Sequence, residues 1–142
     1  MCFKIDDSAP RWRQRMVYKI VKRRRGYGTP PHRCYSSVVY RKGERITIKR
    51  ANKRPTRDDQ NRSVNGIYVL GSLAAARAYA FYNCYHSSER CWAIIQLEVD
   101  PRSFLHQSVV VNGYRMATYR SVKPSGHIFD LREGRSTWWP RR

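Results

Sequence analysis

A chain of 142 residues, 41% hydrophobic and 13% aromatic, carries enough apolar surface for one folded domain, which excludes a disordered basic tail of the histone kind. Its 29 Lys and Arg against 10 Asp and Glu leave a net charge of +19, and 18 of those cations fall in residues 11–62. That stretch, opposed only by Glu44, Asp58 and Asp59, carries +15 while residues 64–100 carry −1, so the charge forms a local field that attracts polyanions.

Residues 1–15 show no lasting period and read as a flexible N-terminal arm, with one domain expected over 16–131. The opening Met1-Cys2-Phe3-Lys4 has no apolar signal segment, and the longest apolar tract, 66–82, is interrupted by Ser72 and Arg77. A cytoplasmic chain without a membrane span is the expectation. Residues 16–21 are β-branched and aromatic, which suits a buried strand, and Lys22-Arg23-Arg24-Arg25-Gly26 ends it. Gly26, Gly28, Pro30 and Pro31 then make a loop with the arginines at its mouth.

Segments 34–40 and 45–49 flank Arg41-Lys42-Gly43-Glu44, a Gly-containing basic turn, and a hairpin is expected there. Arg45, Thr47 and Lys49 alternate with Ile46 and Ile48, so one side of that strand can lie on the core while the other presents cations. Residues 50–63 contain Pro55, lack an apolar period and read as a long basic loop. Asn65-Gly66 is a turn signal before a short strand at 67–70. Ser72 then caps an alanine-rich helix over 73–82, with Leu73, Ala76, Ala80 and either Phe81 or Cys84 on one face.

Residues 92–99 form a strong strand closed by Asp100-Pro101. Segments 109–111 and 115–119 flank Asn112-Gly113, a second hairpin signal, and residues 132–142 read as a C-terminal tail. The elements sum to an α+β fold, a mainly antiparallel sheet with one principal helix in a single compact domain.

The candidate binding residues are Lys22, Arg23, Arg24, Arg25, Tyr27, Arg41, Lys42, Lys49, Arg50, Lys53, Arg54 and Arg57. Several cations in one stretch can each neutralise a phosphate and release counterions, and interleaved tyrosines suit stacking on unpaired bases. The partner expected is DNA or RNA through phosphate contacts, or an acidic protein surface, since both answer to the same field. No zinc-finger spacing, helix-turn-helix or RNP1-like pattern points to sequence reading.

Catalysis and metal binding find little support. Cys34, Cys84, His86 and Cys91 lack the paired C-x-x-C arrangement of structural zinc, so no metal is expected and the four cysteines read as reduced thiols. The ten acids are scattered singly, and Gly26-Tyr27-Gly28 precedes prolines rather than a helix, so neither a carboxylate pair nor a phosphate loop is present in the pattern. No cofactor is expected.

Two resemblances bear on function. Asn65-Gly66-Ile67-Tyr68-Val69-Leu70, the helix ending Ala78-Tyr79-Ala80, and the strand from Ala93 to Pro101 together resemble the central part of ADP-ribosyltransferase-like domains. The resemblance implies that Tyr68 and Tyr79 would sandwich the nicotinamide of NAD. Tyr18-Lys19-Ile20-Val21 carries neither the His-Gly nor the Arg that holds the ribose in that family, and Glu98 reads as a mid-strand structural residue. The resemblance therefore implies a shared fold rather than an activity.

Met1-Cys2-Phe3-Lys4, Val17-Tyr18-Lys19, Tyr35-Ser36-Ser37, Tyr40-x-x-Gly43 and Gly66-Ile67-Tyr68-Val69 before the alanine-rich helix are similar to small bacteriophage-encoded accessory proteins. That implies a role against host defence, or in the virion. The expected function is a non-enzymatic basic accessory protein, in the host cytoplasm, that binds nucleic-acid backbone or blocks an acidic host protein handling it. An NAD-using ADP-ribosyltransferase-like enzyme and a virion protein contacting genome or capsid are the alternatives.

Overall fold

The computed structural model describes residues 3–24, 27–29, 38–48, 56–58, 60–83, 92–131 and 136–138. In chain order the elements are β1 (Met16–Arg24), β2 (Tyr27–Thr29), β3 (Ile46–Thr47), β4 (Thr56–Arg57), β5 (Ser63–Val64), β6 (Ile67–Leu70), helix α1 (Leu73–Tyr82), β7 (Trp92–Val99), β8 (Phe104–Gln107), β9 (Met116–Tyr119), β10 (Ser121–Phe129) and β11 (Ser136–Trp138). Every strand pairing among the described residues is antiparallel, and α1 is the one α-helix there. The α+β expectation holds.

The main sheet runs β11-β10-β7-β1-β6-β9-β8, with β2 added to β1 and β3 to β10. Its spine is β1 against β7, in continuous register from Met16↔Glu98 to Lys22↔Trp92. Both strands are rich in β-branched residues and bury side chains on both faces, as interior strands do. On one face Val17, Val21, Ala93, Ile95, Leu97, Val99, Val122 and Ile128 form the first core cluster, closed by Tyr40, Phe104 and Tyr119. The opposite face carries Ile20, Ile94, Leu70 and Met116, covered by Ala76 and Ala80 of α1 and by Phe3. Each such aliphatic side chain contributes about 1.5–3 kcal/mol by leaving water.

The sheet curls. Strands β9 and β10 stand apart in the sheet, with β6, β1 and β7 between them, yet only Arg120 separates them in sequence. Two residues of chain span at most about 7 Å, so the sheet bends until the end of β9 meets the start of β10, with the first cluster inside the curve. A ring of backbone pairing results on one side: β1 to β7, β7 to β10, β10 to β3, back along 40–46 to the Gly28↔Tyr40 bridge, and through β2 to β1.

Local signals act largely as expected. Ser72 Oγ accepts the Ala75 amide at 3.0 Å and opens α1, and Asn83 closes it by donating from its side chain to Tyr79 O at 2.8 Å. Ala76 and Ala80 are buried and Phe81 is 68% exposed, so of the two alternatives for that face Phe81 lies off it, while Cys84 falls outside the described residues. Asn112 and Gly113 take φ values of +53° and +80°, the geometry of a tight hairpin turn joining β8 to β9 through the Val111↔Tyr114 bridge.

Other expectations change. The turn at 41–44 forms, with the Glu44 amide on Arg41 O, but its arms do not pair with each other: Tyr40 pairs with Gly28 and Ile46 with Val122. Non-local partners with larger buried faces outcompete the local hairpin. The Gly-Pro loop begins as β2, three residues paired with Lys22, Arg23 and Arg24. Within the expected loop at 50–63, β4 and β5 make a small hairpin around Asp58.

Residues 3–15, read from sequence as an arm, lie along β8 and β9. Ile5 bridges Ser108, Gln107 Nε2 donates to Asp6 O, and Trp12 packs on the first cluster. Ser136–Trp138, in the segment read as a tail, pairs with His127 to Phe129 of β10. No helix among the described residues is long and apolar enough to cross a membrane.

Candidate nucleic-acid interface

The C-terminal end of β1 carries Lys22, Arg23 and Arg24, and β2 fixes them by pairing Lys22↔Thr29, Arg23↔Gly28 and Arg24↔Tyr27. Gly28 is buried and exchanges two 2.8 Å hydrogen bonds with Tyr40, which brings the next residue, Arg41, to the same corner. There the Arg41 guanidinium lies 5.3 Å from the centroid of the Tyr27 ring. Such a stack holds the guanidinium plane in place while its N–H edges stay available to an anion.

Lys42 follows on the other side of the turn. Its aliphatic chain crosses Gly126 of β10, where a Cβ would stand 2.7 Å from Cε and 3.0 Å from Cγ. The Gly43 amide donates to Pro124 O at 2.9 Å, so the turn is pinned to β10. The corner thus assembles Lys22, Arg23, Arg24, Tyr27, Arg41 and Lys42 of the residues singled out from sequence. Arg57 stands elsewhere, on the β4–β5 hairpin, donating to Asn61 O at 3.0 Å. Arg25, Lys49, Arg50, Lys53 and Arg54 lie outside the described residues, as do the four cysteines and His86.

The corner's own turn ends on one exposed acid, Glu44, while the described acids that form ion pairs lie elsewhere. Among the described residues five ion pairs form: Arg62 with Asp7 (2.6 Å) and Asp58 (2.7 Å), Arg102 with Asp100 (3.0 Å), Arg115 with Asp6 (3.2 Å) and Lys123 with Glu98 (3.4 Å). None takes Lys22, Arg23, Arg24 or Arg41. The buried Asp58 shows how such pairs hold: burial pushes its carboxyl up, but the Arg62 amide, the Arg62 guanidinium and the Gln60 amide outweigh that and keep it below the ordinary carboxylate range. For Asp100 the Arg102 guanidinium and amide act in the same sense.

Residues that sequence reading did not select adjoin the interface. An open groove of about 340 Å³ is lined by Arg15, Met16, Arg45, Glu98, Val99 and Asp100. Arg45 donates to Ser121 Oγ at 3.0 Å, which holds it beside β10. The alternation of Arg45 and Thr47 with Ile46 and Ile48 was the signal available for it: both isoleucines pack against the first cluster, while Arg45 and Thr47 are exposed.

The residues of the ADP-ribosyltransferase-like resemblance occupy other surroundings. Tyr68 meets Phe3 edge to face at 5.6 Å and Tyr79 meets Tyr114 likewise at 5.6 Å, both against the second core cluster. Glu98 sits within β7 opposite Lys123, and the groove beside it includes neither tyrosine. Among the described residues no group of three His, Cys, Asp or Glu side chains is placed to hold a metal ion. Comparison of the chain with protein-family models, with curated proteins and with solved structures gives no match.

Proposed function

We propose that this protein is a non-enzymatic accessory factor that binds the sugar-phosphate backbone of nucleic acid at the corner formed by β1, β2 and the 41–44 turn. The observation that carries the reading is the conjunction of Lys22, Arg23, Arg24 and Arg41, none in an ion pair among the described residues, with the Arg41–Tyr27 stack. Desolvating a cation is costly unless an anion replaces water, and a phosphate backbone supplies anions at regular spacing. The contacts available are to phosphates, so binding is independent of base sequence, and occlusion of the bound strand is the simplest consequence for other proteins that act on it.

Arg23→Glu/Arg24→Glu tests it. Both side chains are exposed, so the fold should be retained in circular dichroism, while affinity for a labelled oligonucleotide by fluorescence anisotropy should fall by about tenfold or more. Unchanged affinity in a folded variant would remove the corner from the function.

A further inference from the structure

The turn that brings Arg41 to Tyr27 also delivers Arg45, four residues later, to the groove beside Arg15. Four residues of chain reach at most about 14 Å, so the basic corner and the groove are neighbours along one continuous edge. The two carboxylates in the groove are each already matched, Glu98 by Lys123 and Asp100 by Arg102. With Arg15 and Arg45, four cations face two carboxylates there, an excess of two positive charges. In the same lining Met16, 38% exposed, gives an apolar surface on which a sugar or base can rest.

Resting on the backbone-binding reading above, we infer that this groove is a second seat for the same nucleic-acid strand, in which Arg15 and Arg45 grip a phosphate at a fixed distance from the corner. The span sets a minimum ligand length. The gap between the seats runs from at most about 14 Å, at Arg41 and Arg45, to about 26 Å, at Arg24 and Met16, eight residues apart in β1. A dinucleotide carries a single bridging phosphate and fills one seat only, whereas twelve nucleotides cover the far limit even at a stacked rise of about 3.4 Å each.

The test compares labelled oligothymidylates of two and twelve nucleotides, read by fluorescence anisotropy against the wild-type chain and Arg15→Ala/Arg45→Ala. The wild type should bind the longer ligand at least about tenfold more tightly, and the variant should lose most of that advantage while binding the shorter ligand as the wild type does. If the variant, still folded by circular dichroism, binds the longer ligand like the wild type, the second seat is refuted and the corner stands alone. If the wild type binds neither length, the corner falls as well.

Discussion

Lys19 carries an ammonium into the interior of the sheet. It stands in β1 between Val17 and Val21, opposite Ile95, so alternation aims it at the first core cluster. Its Nζ donates to Tyr68 O at 2.7 Å, where β1 and β6 have separated beyond the single pair Tyr18↔Leu70. The ammonium thereby ties β1 to the β6 backbone, and burial pulls its pKa down to about 8. Unfolded, the same lysine titrates near 10.4, so between pH 8 and about 10 the unfolded chain holds a proton that the folded chain has released. Stability therefore rises with pH across that window. Burial pushes Tyr40 and Tyr119 up, the latter to about 12, so above about pH 10 the unfolded tyrosines ionise first and stability falls again. Urea denaturation at pH 8, 9 and 10 should show a rise of about 1–2 kcal/mol, lowered from the full linkage value because Lys19 is only partly buried, and Lys19→Met should abolish it. An equal rise in the variant would assign it to other groups.

Among the elements β10 matters most to the interface and was the least legible. Val122, Pro124, Gly126 and Ile128 are all buried and alternate with Lys123, Ser125, His127 and Phe129, a clean strand period. Two of its four inward positions are Pro and Gly, residues that read as breakers, and the register against β7 shifts between Pro124 and Ile128 to accommodate them. Strand β7 and helix α1 were readable because their apolar periods and cap coincide, whereas the partners of 40 and 46–47 were not, since pairing with β2 and β10 is decided by distant residues. Gly126 has φ +103° and Gly113 φ +80°, so alanine at either should cost about 1–2 kcal/mol. At Gly113 an added Cβ meets nothing within 4 Å, while at Gly126 it displaces the flexible chain of Lys42. Gly126→Ala should weaken nucleic-acid binding and Gly113→Ala should not, measured on variants matched for stability by urea titration. Equal affinities would show that the seat of Lys42 on β10 is immaterial.

At the scale of the whole molecule, the charge asymmetry of the sequence becomes a spatial one. The cations of 22–24 and Arg41 meet where β1, β2 and the 41–44 turn join, and Arg45 follows that turn to make one basic edge, while the ion pairs of Asp6, Asp7 and Asp58 tie the N-terminal segment and the β4–β5 hairpin to the body. Sequence pointed to the corner because charge and aromatic spacing are local quantities. Arg15 and Arg45 could not be joined from sequence, because what joins them is the curl that brings the 41–48 segment onto β10. An edge that replaces counterions on a phosphate backbone reveals itself first in the salt dependence of binding to a twelve-nucleotide strand. Engagement of about five phosphates predicts that log affinity falls with log salt at a slope of about −3.5 to −4.5. A flat dependence, or no binding at about 0.1 M salt, would mean that the edge has no phosphate footprint and would turn the search to an acidic protein partner.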